Sequence, residues 1–448
     1  MKQVRIGNGC GFWGDTLDAP GELAEHGRLD YLTLEYLAEL TMSILALQKQ
    51  RHLEAGYASD FLDVLQQLAP ILQRQPHLKI ITNAGGMNPH VCAVRARAIL
   101  DQAGLQARRI AIVHGDDLLP RLDELLAQGH AFTNLDSGEP LSTVRDRLVS
   151  ANAYLGCQPI VSALQQGADV VITGRIADAS LTLGPAVYEF GWKWDDWNRL
   201  AAGTVAGHLI ECGAQATGGL WCNWQETDLA LVGYPIADIE DSGEFILTKP
   251  PGSGGAVNRE TVAEQLLYEV GDPAAYLTPD VIADFTSVQL VERSRDEVRI
   301  TAARGKPATD SYKVSIAYRD GWTTSSMLVI AGPDAATKAR RCGEMIFERL
   351  RRASISPAHR NIECLGAGDS APGVLPIVDA PEVVLRVAVR DADRAVVERF
   401  SKELAPLVTS GPPGVTGYTT GRPPVREVFA YWPALVAKSA VAAQVQIL

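Results

Sequence analysis

The chain has no excess of basic residues, no cysteines in metal- or disulfide-forming order and no long apolar run, and each absence removes a class of function. Its 448 residues carry 41 Lys and Arg against 53 Asp and Glu, a formal charge of −12. With no local basic patch, neither a nucleic-acid nor an anionic-membrane partner is expected. No window approaches the roughly 18 consecutive apolar residues that a membrane-spanning helix needs. The chain opens directly on a strand, with no charged-then-apolar leader, so a cytoplasmic protein is expected. The cysteines, at positions 10, 92, 157, 212, 222, 342 and 364, are odd in number and lack CxxC spacing. They read as reduced thiols, which speaks against a disulfide frame and a structural zinc or iron–sulfur centre.

Nucleotide and hydrolase signatures are also missing. Gly7-Asn8-Gly9-Cys10-Gly11 contains GxG, but it lacks a third glycine at Rossmann spacing and a second-strand acid, so a Rossmann dehydrogenase is disfavoured. There is no P-loop order, no GxSxG elbow and no HExxH. His208 and Glu211 share a helix face and would ligate a metal only with a third group, so no metal is expected.

What remains is a chain 46% hydrophobic and 21% charged, the balance of a soluble globular protein of two or three domains. Four short runs rich in Val and Ile end abruptly in Gly, Asn, His or Asp: 4–6, 78–82, 109–113 and 169–173. Runs that are apolar throughout, with helical stretches between them, predict parallel strands of an α/β sheet flanked by helices. Helices are predicted over 31–50, 59–74, 89–101, 120–128, 143–167 with a break near 156–159, 179–190 and 199–217.

From about Leu229 the pattern changes to alternating runs at 297–302, 312–318 and 326–330, with turn signals at 304–307 and 319–321. Two βα-like units follow, one with the helix 333–352 and one with strand 383–389 and helix 392–404. The organisation expected is an α/β domain over 1–220 and an α+β domain over 221–448. The Pro- and Gly-rich stretches 410–414 and 417–424 read as lids or interface loops.

In open α/β sheets ligands bind beyond the carboxyl ends of the strands, which makes those ends the expected site. Arg175 is able to grip a carboxylate through its fork, and Asp178 serves as a base, or else as a helix cap with an Arg–Asp ion pair. His114 and Asp116 follow the third run and His90 lies past the second; the histidines either move protons or are satisfied structural residues. Asn8, Cys10, Asn83, Gly85 and Gly86 line the same rim, with the Gly85–Gly86 backbone offering N–H donors to an oxyanion. Cys10, in a Gly-rich turn, is either a packing residue or a reactive thiol. The loop Lys249-Pro250-Pro251-Gly252-Ser253-Gly254-Gly255 runs toward a predicted helix over 257–270. Its Lys249, Gly252, Ser253, Gly254 and Gly255 form an anion-site candidate, or only a turn.

The segments Ile6 to Asp15, Asn83 to Gly86, Ala168 to Asp178, Lys249 to Gly255 and Gly421-Arg422-Pro423 resemble, in order and over nearly the whole chain, the acyclic terpene utilisation (AtuA) family. The resemblance implies a role in bacterial breakdown of citronellol and geraniol. Many members carry a further small ferredoxin-like domain, for which this chain leaves no room after Trp432, so the resemblance implies a separate small ferredoxin-like subunit. A homo-oligomer is expected. The function expected is a hydratase or other lyase acting on a small carboxylate or acyl-CoA thioester, with CoA entering only as part of the substrate. Asp178, His114 and Asp116 are the catalytic candidates. The alternatives are a non-catalytic acyl-ligand-binding or scaffold subunit, and a hydrolase using Cys10.

Overall fold

The computed structural model describes residues 2–417 and 421–448 and separates into two compact units, residues 1–317 with 431–448 and residues 318–430. Residues 418–420, within the second Pro- and Gly-rich stretch, lie outside the described residues.

The first unit opens β1 (Gln3–Asn8), α1 (Ala19–His26), β2 (Tyr31–Leu34), α2 (Glu39–Arg51), α3 (Asp60–Arg74), β3 (Lys79–Thr82), α4 (Pro89–Gln102) and β4 (Ile110–His114). It continues α5 (Leu122–Ala127), β5 (Leu148–Ala153), α6 (Gln158–Gln165), β6 (Val170–Thr173), α7 (Ser180–Phe190) and α8 (Trp197–Glu211). Then come β7 (Ile236–Glu240), β8 (Phe245–Thr248), α9 (Arg259–Leu267), β9 (Tyr276–Leu277), β10 (Ile282–Asp284), β11 (Gln289–Ser294), β12 (Glu297–Thr301) and β13 (Arg304–Lys306). The strand β14 (Ser311–Ala331) runs on into the second unit, which holds α10 (Ala335–Arg352), β15 (His359–Leu365), β16 (Glu382–Asp391), α11 (Arg394–Phe400), α12 (Leu407–Ser410) and β17 (Val415–Gly417). The chain closes with β18 (Arg426–Ala437) and β19 (Gln444–Ile447).

One ten-stranded sheet, ordered β11-β12-β8-β7-β1-β2-β3-β6-β4-β19, carries the first unit. The four predicted strands are its β1, β3, β4 and β6, and with β2 they form the parallel centre. All four residues of β6 are buried, as a strand covered by helices on both faces requires. The segment 221–317 adds β7, β8, β11 and β12 as antiparallel strands to the same sheet. In the second unit, α10 and α11 cover an antiparallel sheet around Ile330, Ile346, Leu350, Leu385 and Phe400.

Four local expectations are corrected. The helix predicted over 31–50 begins only at Glu39, because Tyr31–Leu34 is drawn into the sheet between β1 and β3 and fully buried. In the predicted helix 143–167, Leu148–Ala153 is β5, which pairs with β14, and only Gln158–Gln165 is helical. The turn predicted at 319–321 lies inside the single strand β14, just before the stretch from Trp322 that pairs with β16, and Asp320 is ion-paired with Arg390. The 304–307 signal likewise sits on β13, paired with β10.

Gly207 shows how tightly the helices behind the site are set. A Cβ there would lie 2.5 Å from the carbonyl oxygen and 2.6 Å from the Cα of Ala179, backbone atoms at the start of α7. Gly207→Ala is expected to destabilise the fold by about 2 kcal/mol or more through overpacking. Denaturant unfolding checks it, and an unchanged midpoint would mean that α7 and α8 are not packed this closely.

Candidate functional site

The carboxyl ends of the five parallel strands carry a layer of buried polar side chains. Asn8, ending β1, donates from Nδ2 to the carbonyls of Cys10 (2.9 Å), Ile210 (2.8 Å) and Glu211 (2.9 Å), and accepts from Thr33 Oγ1 at 3.1 Å. These bonds satisfy the amide and tie the end of α8 to the sheet, which makes Asn8 a clamp. Cys10 is buried and donates to the Phe12 carbonyl at 3.2 Å. Burial, and next the charge of Asp15, push its thiol well up, so the reactive-thiolate option has no support.

Just past β2 stands Glu35, whose Oε1 accepts from the Leu37 N–H at 2.8 Å and from Asn83 Nδ2. Asn83, past β3, in turn accepts from the Tyr36 N–H at 2.8 Å. Gly86 donates its N–H to the Asn83 carbonyl at 3.1 Å, so this donor is committed inside the turn and is not free for an oxyanion. Gly85 is required by close approach: a Cβ there would lie 2.5 Å from the Thr173 carbonyl oxygen. His90 is exposed on the first turn of α4.

Past β4, Asp116 accepts at Oδ2 from Asn152 Nδ2 (2.8 Å) and from the Arg175 N–H (2.9 Å). It fixes the turn that carries Arg175 and does not itself face the open side, since it is 3% exposed. Burial pushes its carboxyl up to about 6. His114 stands opposite Gln444 of β19 and enters none of the cluster's hydrogen bonds among the described residues.

Arg175, past β6, is the centre. Its guanidinium lies 4.1 Å from the Tyr154 ring centre, and Nη1 donates to the Ile176 carbonyl (3.0 Å) and to Asp178 Oδ1 (2.6 Å). Burial opposes its charge, but Asp178, Tyr154 and Glu35 outweigh burial and keep it protonated. Asp178 does not cap α7, and the ion pair is what forms. Its side chain is 35% exposed against 2% for Arg175, so the pair opens on the Asp178 side.

Sequence reasoning missed the neighbours of this pair. Tyr154 donates to Glu39 Oε1 at 2.5 Å, Lys313 lies 3.2 Å from the same oxygen, and the Lys313 ammonium stands 4.8 Å from the Tyr154 ring and 5.7 Å from that of Tyr431. Burial opposes ionisation of Glu39, yet the Tyr154 hydrogen bond and the charges of Arg175 and Lys313 prevail and hold it down at about 2. Glu35 carried one available signal, its place at the end of a Tyr-Leu-Thr-Leu run; reading that run as helix concealed it.

Behind Asp178, His208 Nδ1 lies 3.1 Å from Glu211 Oε1, and Nε2 lies 3.0 Å from the Gln265 carbonyl. The carbonyl requires an N–H at Nε2, so the Nδ1–Glu211 contact holds a single proton, and both groups are displaced upward, Glu211 by burial and His208 by Glu211 against burial. Both ring nitrogens are engaged, which leaves His208 none for a metal. Among the described residues no group of three or more His, Cys, Asp or Glu is placed to hold a metal ion.

The loop 249–255 is closed on itself. Lys249 donates to the Ser253 carbonyl at 2.8 Å and pairs with Asp296 at 3.2 Å, while Ser253 Oγ donates to the Pro250 carbonyl at 2.7 Å. Gly254 and Gly255 donate to the carbonyls of Leu231 and Asp228. Gly252 adopts φ +80° with open space around it. At the start of α9, the N–H groups of Val257, Arg259 and Thr261 go to Asp296, Glu292 and Asn258, so the chain's own side chains occupy the donors an anion would use. Ser253, Gly254 and Gly255 line a separate cleft of about 650 Å³ with Glu226, Asp228 and Glu292, which none of the strand-end residues enters.

A largely parallel sheet flanked by helices, with a buried cation and converging carboxylates at its strand ends, places the chain in the open α/β class. Within that class, the chain belongs to the acyclic terpene utilisation family, AtuA, whose family model matches residues 4–447. No curated protein and no solved structure matches it. No helix among the described residues is long and apolar enough to cross a membrane.

Asp116 yields a pH prediction. Its carboxyl titrates higher in the folded chain, at about 6, than the roughly 3.9 of an unfolded aspartate, so between these values the folded state holds the extra proton. Stability therefore falls as pH rises through that window, by about 2–3 kcal/mol from this group alone. Asp116→Asn is expected to flatten the slope, read from denaturation midpoints across the window.

Proposed function

We propose that this member of the acyclic terpene utilisation family is a hydratase or related lyase acting on a small carboxylate or its CoA thioester. The observation that carries the reading is the Arg175–Asp178 pair: a charged guanidinium buried on one side and a carboxylate that opens on the other. An incoming carboxylate or thioester carbonyl competes with Asp178 for the Arg175 fork. Displaced, Asp178 lies beside the bound carbonyl and takes the proton from the adjacent carbon. Tyr154 and Asp116 are positioning residues, since one stacks on the guanidinium and the other fixes its backbone. His114 is the second candidate for proton transfer, one strand away. The CoA of a thioester enters as part of the substrate, and the residues named here act on its acyl end.

Thermal-shift screening of short dicarboxylates and CoA thioesters, followed by assay of each hit, tests this reading. A hit is expected to turn over, and Asp178→Ala to lower the rate by about 10²–10⁴ while retaining the fold. Binding without turnover would replace the lyase reading with that of an acyl-ligand-binding subunit.

A further inference from the structure

The strand-end cluster leaves several buried polar atoms without a hydrogen-bond partner: the Tyr36 hydroxyl, Asn152 Oδ1, Glu211 Oε2 and, on two residues that act on each other, Oε2 of Glu35 and Nε of Arg175. Each residue lies within electrostatic reach of the other. Proteins seldom leave buried polar atoms unpaired, and an unpaired carboxyl oxygen and guanidinium N–H on neighbouring charged groups mark where a ligand's polar atom belongs. The rest of Glu35 is fixed: Oε1 is held by Leu37 N–H and Asn83 Nδ2, and Asn83 is itself held by the Tyr36 N–H. The Gly86 N–H, one of the two backbone donors expected for an oxyanion, is committed to Asn83.

We propose that Glu35 is a further catalytic residue: its Oε2 and the Nε of Arg175 together hold the substrate oxygen on which negative charge gathers. The proposal rests on the lyase reading and deepens it, since it specifies a substrate with a carbonyl or carboxylate oxygen beside the carbon that loses its proton. The carboxyl donates only when neutral. Burial, and next the charge of Asp178, push it toward that form against Arg175, Asn83 and the Leu37 N–H. Cys10, the other titratable group acting with it, stays a thiol and adds no charge.

The step balances within the site. The Asp178 carboxylate takes the proton; the C–H electron pair forms the enolate carbon–carbon bond, and the carbonyl pair moves onto the oxygen held by Glu35 O–H and Arg175 N–H. The enolate then re-forms the carbonyl and expels a β-hydroxyl, which takes the proton from Asp178 and leaves as water, restoring the carboxylate. Glu35 keeps its proton throughout. A carboxylic acid held neutral so that it can donate to a developing oxyanion is an established catalytic device.

Malonate, a small dicarboxylate, is the probe. In calorimetric titrations of the full chain, malonate is expected to bind, and to bind more weakly as pH rises and Glu35 ionises. Glu35→Ala is expected to weaken binding about tenfold or more, as loss of a hydrogen bond to a charged group does. Glu35→Gln, which keeps a donor in place, is expected to restore most of the binding and abolish its pH dependence. An infrared difference spectrum of wild type against Glu35→Gln at neutral pH is expected to show the C=O stretch of a neutral carboxyl group, and this measurement stands even if the alanine variant fails to fold. Absence of that band, failure of malonate to bind wild type, or wild-type affinity in folded Glu35→Ala overturns the proposal. None of these readouts needs turnover. If they hold and no substrate turns over, the lyase reading fails alone; if they fail while Asp178-dependent turnover persists, the donor pair fails alone.

Discussion

A guanidinium taken out of water is tolerated only where acceptors and counter-charges surround it, and Arg175 is 1% exposed. The first unit is arranged around that requirement. The Tyr154 ring covers one face of the guanidinium, Asp178 and the Ile176 carbonyl take Nη1, and Asp116 holds the backbone N–H of the same residue. Each partner is supplied by a different part of the chain: Asp116 follows β4, Tyr154 follows β5, and Asp178 precedes α7. The Arg175–Asp178 pair itself is local, three residues apart in one turn, but its surroundings are a product of the fold: β4 beside β6 brings Asp116, and β5, paired with β14, brings Tyr154.

The amides at the rim show the difference between a scaffold and a site. Asn8 has its Nδ2 and Oδ1 engaged and closes the C-terminal carbonyls of α8, which places Glu211 behind Asp178. Asn83 binds β2 to β3 through Tyr36 and Glu35. Satisfied groups of this kind rigidify and offer nothing to a ligand. The reactive potential lies with the atoms they leave over, on Glu35, Arg175 and the exposed side of Asp178. A positional argument from sequence, that polar residues at strand ends form the site, finds both kinds and cannot separate them.

That limit also describes what the sequence made legible. The runs ending at Ile6, Thr82, Val113 and Thr173 announce themselves because strands buried on both faces have no room for polar residues. The four residues of β2 do not, since they precede α2 in a stretch whose Leu and Ile spacing also fits a helix, and pairing with β1 and β3 decides the outcome. Losing β2 concealed Glu35. Tyr154, Lys313 and Tyr431 were concealed for another reason: they are distant in sequence, and their meeting depends on β5 pairing with β14. The loop 249–255 shows the opposite case, a strong local signal explained by local structure, because Lys249 and the α9 N-terminus find their anions in Asp296 and Glu292.

Charge balance then decides which ligand the strand ends accept. Arg175 and Lys313 face Asp178 and Glu39, two positive charges against two negative, and Asp116 behind the Arg175 backbone adds a further negative charge once pH rises above about 6. The His208–Glu211 pair shares one proton and is neutral overall, whether that proton sits on nitrogen or on oxygen. Among the groups that act directly on the guanidinium, Glu35 is the one left to tip this balance. Ionised, it would make the cluster net negative within a chain of formal charge −12, and an incoming carboxylate would be repelled at short range in a poorly screened setting. Neutral, it adds no charge of its own, and a carboxylate that displaces Asp178 from Arg175 exchanges one anion for another at the same cation. In the proposed reaction, burial of Glu35 is thus the condition under which an acidic rim admits an acidic ligand, and the same burial keeps a proton beside the guanidinium.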